Sequence, residues 1–446
     1  MRVDPSIFKA YDIRGLYPSQ LDESTALAVG RAFASLLRPP QVVVGRDMRL
    51  SSPAVCAALV EGLTRQGADI LDLGMVSTDQ YYHACATRRR PGIMVTASHN
   101  PPDYCGFKMV REMPFLLSGD EGIQDLRRLI EAEEWRPAPG SGRVESLDLG
   151  EGFVDKVLSM VEVDRLRPLK IVADTGNGMV GPILERVYER LPVELTGMYL
   201  DPDGSLPNHG LDPMQEENRA ELQRRVAAEG ADAGFAFDGD GDRFFAIDDR
   251  GRFVPGDFLT ALMGAWLLRR EGGGTIVHDV RCSWAVRDEI RAAGGEARQE
   301  RVGHSFLKPR LLREGGVFAG ELSGHYYFRD FYGADSGIVP SLVLMQMMSE
   351  SGGSLSRLLS PLESRYFLSG EINSRVTDPA AKLEELAGRY ADGRIERLDG
   401  VSVSFDDWHF NVRASNTEPL LRLNLEALSP RRMEEKRDEV LAVIRA

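Results

Sequence analysis

The chain has little of several residues on which common functions depend. Its 446 residues include four cysteines, Cys56, Cys85, Cys105 and Cys282, and no C-x-x-C pair. That scatter fits reduced thiols used for packing and argues against a disulfide framework or a cysteine-built zinc site. Lysine is scarce too, 7 against 47 arginines, so a lone arginine says little whereas Lys9 and Lys108 stand out. The formal net charge is −14, with no basic tail and no basic helical face. Nucleic acid and anionic membrane surfaces are therefore not expected as partners. No apolar run is long enough to cross a bilayer. Met1-Arg2-Val3-Asp4-Pro5 lacks the apolar core of a signal peptide, which predicts a cytoplasmic protein. There is no G-x-G-x-x-G fingerprint, low-complexity segment or exact internal repeat.

What is present is an ordinary globular composition, 43% hydrophobic and 27% charged, in a chain too long for one core. Short apolar runs alternate with helical patterns. Strands are expected at Gln41–Gly45, Ala68–Leu73 and Gly92–Val95, with helices near Leu21–Leu37, Ser52–Gln66 and Thr78–Thr87. The pattern continues with strands at Leu169–Asp174, Ala233–Phe237 and Thr275–Asp279 and helices over Phe258–Arg270 and Ser283–Ala293. Alternation on this scale indicates an α/β layer structure. Arg136–Gly142 reads as a linker, and the strands Val401–Phe405 and Leu420–Leu425 with a helix from Pro430 make the last part α+β. The glycine turn Thr175-Gly176-Asn177-Gly178 is read as close strand–helix packing.

The most informative stretch is Thr96-Ala97-Ser98-His99-Asn100-Pro101-Pro102. A buried strand stops at a serine, and Asn-Pro-Pro prevents strand or helix from continuing. Ser98 thus sits on a sharp bend at a strand end, where doubly wound sheets place ligands, with His99 beside it to orient it. Asp238, Asp240 and Asp242 alternate with glycines, and converging carboxylates offer hard oxygen ligands to Mg²⁺. A calcium loop fails on spacing, because Arg243 stands where glycine is needed. Arg413-Ala414-Ser415-Asn416-Thr417 combines a cation, hydroxyls and an amide suited to a phosphate. Glu321, Ser323 and His325 alternate, so in extended geometry they face one side and suit sugar hydroxyls. His304 lies in the turn Gly303-His304-Ser305.

Taken together and in this order, these motifs resemble the α-D-phosphohexomutase superfamily, most closely its bacterial phosphomannomutase/phosphoglucomutase branch. The resemblance covers essentially the whole chain, from Tyr11-Asp12-Ile13-Arg14-Gly15 to Arg413–Pro419. It implies four domains around a central cleft, three similar mixed α/β domains with a sheet between helices and a C-terminal α+β domain. With the boundaries above, the spans are 1–147 for the serine loop, 148–249 for the metal loop, 250–363 for the sugar loop and 364–446 for the phosphate loop.

The resemblance also implies the chemistry. Ser98 carries a phosphoryl group and, with Asp238, Asp240 and Asp242, binds Mg²⁺. Lys108, Arg243, His304 and Arg14 serve transfer, Lys108 as general acid/base or as the cation beside the transferred oxygen. Tyr11, Arg281, Glu321, Ser323 and His325 contact the sugar, and Arg413, Ser415, Asn416 and Thr417 hold the phosphate that is not transferred. A hexose 1,6-bisphosphate is activator and intermediate, sugar phosphates are the only partners, and the oligomeric state is not fixed. Arg281 departs from the lysine of the close branch, which keeps the charge but suits proton transfer poorly. The alternatives are a phosphoglucosamine mutase, against which Gly241 and the Tyr11 opening argue, and a metal-dependent phosphatase, which needs no second phosphate site.

Overall fold

The apolar runs form buried strands in a computed structural model that describes residues 1, 3–119, 121–138, 140–414 and 420–446. The chain divides into two compact units, Met1–Val254 with Ser323–Leu355, and Pro255–Leu322 with Ser356–Ala446.

In the first unit, seven strands among the described residues form one mixed sheet. Gln41–Arg46 lies parallel to both Asp69–Met75 and Gly92–Val95, and Tyr104–Glu112 runs antiparallel to Gly92–Val95. Ile13–Leu16 then pairs with Tyr104–Glu112 at the edge, so the opening motif lies beside the serine loop. Asp22 caps the helix Glu23–Leu37 through the Thr25 amide. This helix packs on Ser52–Arg65 through glycines: a Cβ on Gly62 would lie 2.1 Å from the Leu27 carbonyl. A second sheet holds Leu169–Asp174, Val193–Met198 and Ala233–Phe237 in parallel, with Phe244–Ile247 antiparallel at one edge. The helix Ile338–Ser351 is buried on every side from Ile338 to Met348. An all-round apolar helix has no stripe for periodicity to detect.

In the second unit, Thr275–Asp279 lies parallel to Glu296–Glu300 and to Phe318–Gly320, flanked by Gly256–Glu271, Trp284–Ala292 and His304–Arg313. The last of these helices starts at His304 itself, where a turn was expected, because Gly303 at φ +122° provides the N-cap. The C-terminal sheet is antiparallel throughout, in the order Phe367–Arg375, Leu420–Ala427, Trp408–Ala414, Val401–Ser404, Arg394–Glu396. Pro379–Arg389 and Pro430–Arg445 complete this α+β part. All four cysteines are free and buried, and no helix among the described residues is long and apolar enough to cross a membrane.

Asp257, in the first turn of Gly256–Glu271, accepts the Phe258 and Ser283 amides at 3.0 Å each, yet burial pushes its carboxyl up to about 7. A carboxyl that binds its proton more tightly when folded contributes stability that is complete below its ordinary value of 3.8 and is lost as pH rises toward about 7. Asp257→Asn, which stays neutral, should therefore gain on its parent by on the order of 2 kcal/mol between about pH 5.5 and about pH 8.5. Thermal unfolding of both proteins at both pH values measures this, and a constant difference would place the ionised carboxylate at no cost.

Candidate active site

The strand Gly92–Val95 is wholly buried and ends one residue before Thr96. Two residues later Ser98 adopts φ +50°, the left-handed region that a serine occupies only when its surroundings hold it there. Its amide donates to Thr96 Oγ1 at 2.9 Å, and its hydroxyl donates to Asp238 Oδ2 at 2.8 Å. His99 Nδ1 lies 3.1 Å from the same hydroxyl. Burial, with the Arg243, Arg14 and Lys108 cations nearby, holds His99 well below the ordinary histidine range, so its ring is neutral.

Asp238-Gly239-Asp240-Gly241-Asp242-Arg243 links the strands Ala233–Phe237 and Phe244–Ile247, with Gly241 at φ +78° making the turn. All three carboxylates are buried, and one oxygen from each lies within 4.8 Å of the others. Asp240 Oδ2 accepts from Lys108 Nζ at 2.7 Å, Thr78 Oγ1 at 2.7 Å and Thr96 Oγ1 at 3.2 Å. Asp240 Oδ1 is buried and accepts no hydrogen bond among the described residues. Lys108, on the strand Tyr104–Glu112, also binds Asp242. Burial alone would lower its ammonium, but Asp240, Asp242 and Asp238 together hold it above the usual lysine range. Burial and the charges of Asp242 and Asp240 push Asp238 well above the carboxylate range. Burial opposes ionisation of Asp242 as well, yet Lys108, His325 and Arg243 hold it well below. Asp242 Oδ1 likewise accepts no hydrogen bond among the described residues, and two such oxygens in a ring of three hard ligands make a place a divalent cation would fill.

Arg243 and His325 reach this centre directly. The Arg243 amide donates to Asp238 Oδ1 at 3.1 Å, and its Nε lies 3.8 Å from Asp238 Oδ2. Arg243 bridges to His325, whose Nε2 lies 3.5 Å from Asp242 Oδ1 and 3.9 Å from Asp335 Oδ2. Arg14 donates to Asn100 Oδ1 at 2.5 Å and pairs with Asp12, while Tyr11 is half-buried just before this strand. Ser323 Oγ lies 3.3 Å from His325 Nδ1.

In the second unit, Arg281 grips Asp279 with two bonds, Nε to Oδ1 at 3.1 Å and Nη2 to Oδ2 at 2.8 Å. Its fork also lies 3.4 Å from Glu371 and 3.7 Å from Glu321. Glu321 accepts the Gly303 amide at 3.0 Å, one residue before His304. Arg413 is buried on Trp408–Ala414 with Nε 3.6 Å from Asp399 Oδ2. Ser415, Asn416 and Thr417 lie outside the described residues.

One expectation is corrected. Glu321, Ser323 and His325 do not alternate along an extended chain, because residues 322–324 form a turn with Gly324 at φ +86°. A Cβ at Gly324 would lie 2.6 Å from the Phe245 ring, so packing selects the glycine and the glycine permits the turn. Sequence reasoning also missed Thr78 and Thr96 as donors to Asp240. Thr78 opens the helix Thr78–Arg88 behind a Ser77/Gln80 capping box, and its amide binds the Asp240 carbonyl at 2.8 Å. The capping box announces the helix start, but nothing local announces its partner.

Comparison with known proteins gives one answer along the whole chain. Family profiles described as phosphoglucomutase/phosphomannomutase match in four pieces: alpha/beta/alpha domain I over residues 5–137, domain II over 151–251, domain III over 255–366 and the C-terminal domain over 371–443. A phosphomannomutase of Salmonella montevideo is 40% identical over 430 residues, covering 94% of each chain. The phosphohexose mutases protein of Xanthomonas campestris is 39% identical over 422 residues with the same coverage. An X-ray structure of a phosphoglucomutase/phosphomannomutase family protein from Burkholderia thailandensis superimposes with a TM-score of 0.91 at 36% identity, covering 99% of this chain and 97% of that one.

Removing Lys108 leaves Asp240 and Asp242 buried without their shared cation. Lys108→Met should lower metal-free stability by about 3–5 kcal/mol. Added Mg²⁺ or Mn²⁺ should then raise its melting temperature more than the parent's. Thermal unfolding with chelator and with each metal checks this, and equal responses would show that Lys108 and the cation do not share these carboxylates.

Proposed function

Because the chain belongs to the phosphoglucomutase/phosphomannomutase family, we propose that it interconverts hexose 1-phosphates and hexose 6-phosphates of mannose and glucose through a phosphoserine at Ser98. The observation that carries this reading is the Ser98 hydroxyl, buried on a left-handed bend 2.8 Å from one of three converging carboxylates and beside a lysine shared by the other two. Phosphoryl transfer asks for positioning and charge stabilisation more than for covalent activation, and this site offers both.

In the first half-reaction the phosphoryl group leaves Ser98 Oγ for the free O1 or O6 of the sugar phosphate. That gives a hexose 1,6-bisphosphate and the free serine. In the second, the other phosphoryl group returns to Ser98 Oγ and the isomeric monophosphate departs. Asp238, Asp240 and Asp242, with the phosphoryl group on Ser98, would hold Mg²⁺, for which the all-oxygen donor set and the donor-free Asp240 Oδ1 are suited. A divalent ion held there would supply Lewis-acid stabilisation of the charge on the transferring group. Lys108 and Arg243 supply fixed positive charge at the same place. His99, neutral and 3.1 Å from Oγ, orients the hydroxyl.

Arg14 steadies the loop through Asn100, and His304 assists transfer from the start of its helix. Glu321, Ser323 and His325, with Tyr11 and Arg281, hold sugar hydroxyls. Arg413 with Ser415, Asn416 and Thr417 holds the phosphate that stays on the sugar. The second phosphate site separates a mutase from a phosphatase, which has no use for one.

Phosphorus NMR tests the reading. With Mg²⁺ and a trace of hexose 1,6-bisphosphate, glucose 1-phosphate and mannose 1-phosphate should each give a growing 6-phosphate signal, with glucosamine 1-phosphate as the comparison. Growth of inorganic phosphate alone would make the protein a phosphatase. Ser98→Ala should lose the phosphoprotein and more than about 10³-fold of turnover. Arg413→Ala should raise KM on the order of tenfold with a smaller loss in kcat, and an unchanged KM would move the phosphate site elsewhere.

A further inference from the structure

The bend that carries Ser98 satisfies only some of its carbonyl groups locally: the Tyr104 amide reaches the Pro101 carbonyl at 3.1 Å. Asn100 is followed by Pro101 and Pro102, so two successive peptide units offer an acceptor and no donor. Arg49 meets this need from outside the motif. Its Nη2 donates to the Ser98 carbonyl at 2.9 Å and the Asn100 carbonyl at 2.6 Å. Its Nη1 donates to the Pro101 carbonyl at 2.5 Å and the Tyr104 carbonyl at 3.2 Å.

The guanidinium is 1% exposed, and its charge is matched by Asp47, whose Oδ2 lies 3.2 Å from Nε. Asp47 Oδ1 accepts the Ser52 hydroxyl at 2.5 Å and the Arg49 amide at 3.1 Å. The anchor is rooted in the sheet: Asp47 follows the strand Gln41–Arg46, and its amide binds the Val95 carbonyl at 2.9 Å. The end of one strand thus grips the loop leaving its parallel neighbour.

Because a peptide unit is planar and rigid, a hydrogen bond at one of its atoms restrains the orientation of the whole unit. The unit before Ser98 is pinned by its amide on Thr96 Oγ1, and the unit after it by its carbonyl on Arg49. Between them they restrain both torsions of a residue held at φ +50°. We propose that Arg49, anchored by Asp47, is a positioning residue for phosphoryl transfer, holding Ser98 in the left-handed conformation that aims its hydroxyl while touching neither substrate nor the reacting oxygen. Neutralised by Asp47 and bonded to four carbonyls, the guanidinium acts through geometry. A lysine, with three donors radiating from one atom, cannot reproduce that fork.

The inference rests on Ser98 as the phosphoryl carrier, and its test separates the two. Arg49→Lys, Asp47→Asn, Ser98→Ala and the parent are compared for kcat, KM and melting temperature. Single-turnover phosphorylation of Ser98 from glucose 1,6-bisphosphate is followed by intact mass. Arg49→Lys should lose about 100-fold in kcat and in single-turnover rate, the scale of an ångström's misplacement, with KM within about threefold of the parent. Asp47→Asn should lose about tenfold with the same split. Single-turnover rates within about threefold of the parent in folded Arg49→Lys would overturn the positioning role. Where Arg49→Lys does not fold, an unchanged rate in Asp47→Asn overturns it instead. If the parent takes no phosphoryl group and Ser98→Ala keeps its turnover, the carrier reading fails and the positioning role falls with it.

Discussion

Three carboxylates buried around one serine are the constraint to which the first unit is built. At the separations seen here each like-charged pair repels by a few kcal/mol even with an interior screened to an effective dielectric near 20. Asp238, Asp240 and Asp242 therefore stay together only with cations or protons supplied to them. Lys108 and Arg243 provide two positive charges, which leaves one negative charge in excess. The burial that pushes Asp238 toward its protonated form is the same excess seen from the proton's side. A divalent cation would resolve it without a proton, at a place where Asp240 Oδ1 accepts no hydrogen bond among the described residues.

That electrostatic knot depends on register. Lys108 faces Met94 across the antiparallel pair, one position from the strand end that releases the serine loop. A slip of one residue would turn its side chain to the opposite face of the sheet. The aspartate loop is placed with equal economy from its own sheet. The Met179 amide binds the Gly239 carbonyl at 2.9 Å, and a Cβ on Gly178 would lie 2.8 Å from that oxygen. The glycine turn after Asp174 is therefore a packing device against the aspartate loop, where the sequence pointed to close packing of strand on helix.

Legibility from sequence follows how local each constraint is. The Ser98 bend announces itself because an apolar run, a serine and two prolines are contiguous, and the aspartates because their glycines lie between them. The donors that make the site work are remote: Thr78 and Asp240 are 162 residues apart, and Thr96 and Asp240 are 144 apart. Arg49 was hidden for another reason, as one of 47 arginines in a chain where the residue type carries little signal. The alternation of Glu321, Ser323 and His325 misled because period two holds only for extended chain, and Gly324 bends it.

In the second unit two buried arginines, Arg281 and Arg413, are held by carboxylates in different ways. Arg281 meets Asp279 fork to fork, with Glu371 and Glu321 close by, so its donors are committed and its charge is more than matched. A lysine there could not make the paired bonds, which makes the arginine a choice of geometry rather than of basicity. Arg413 meets Asp399 at 3.6 Å, beyond a hydrogen bond, and Asp399 Oδ2 already accepts the Val302 amide at 3.1 Å. Under the proposed function, a phosphate bringing two oxygens to that guanidinium would compete with a partner beyond hydrogen-bond distance, whereas at Arg281 it would have to break a bidentate pair. Under that function, Arg413 is thus the arginine of the two suited to take up and release a phosphate.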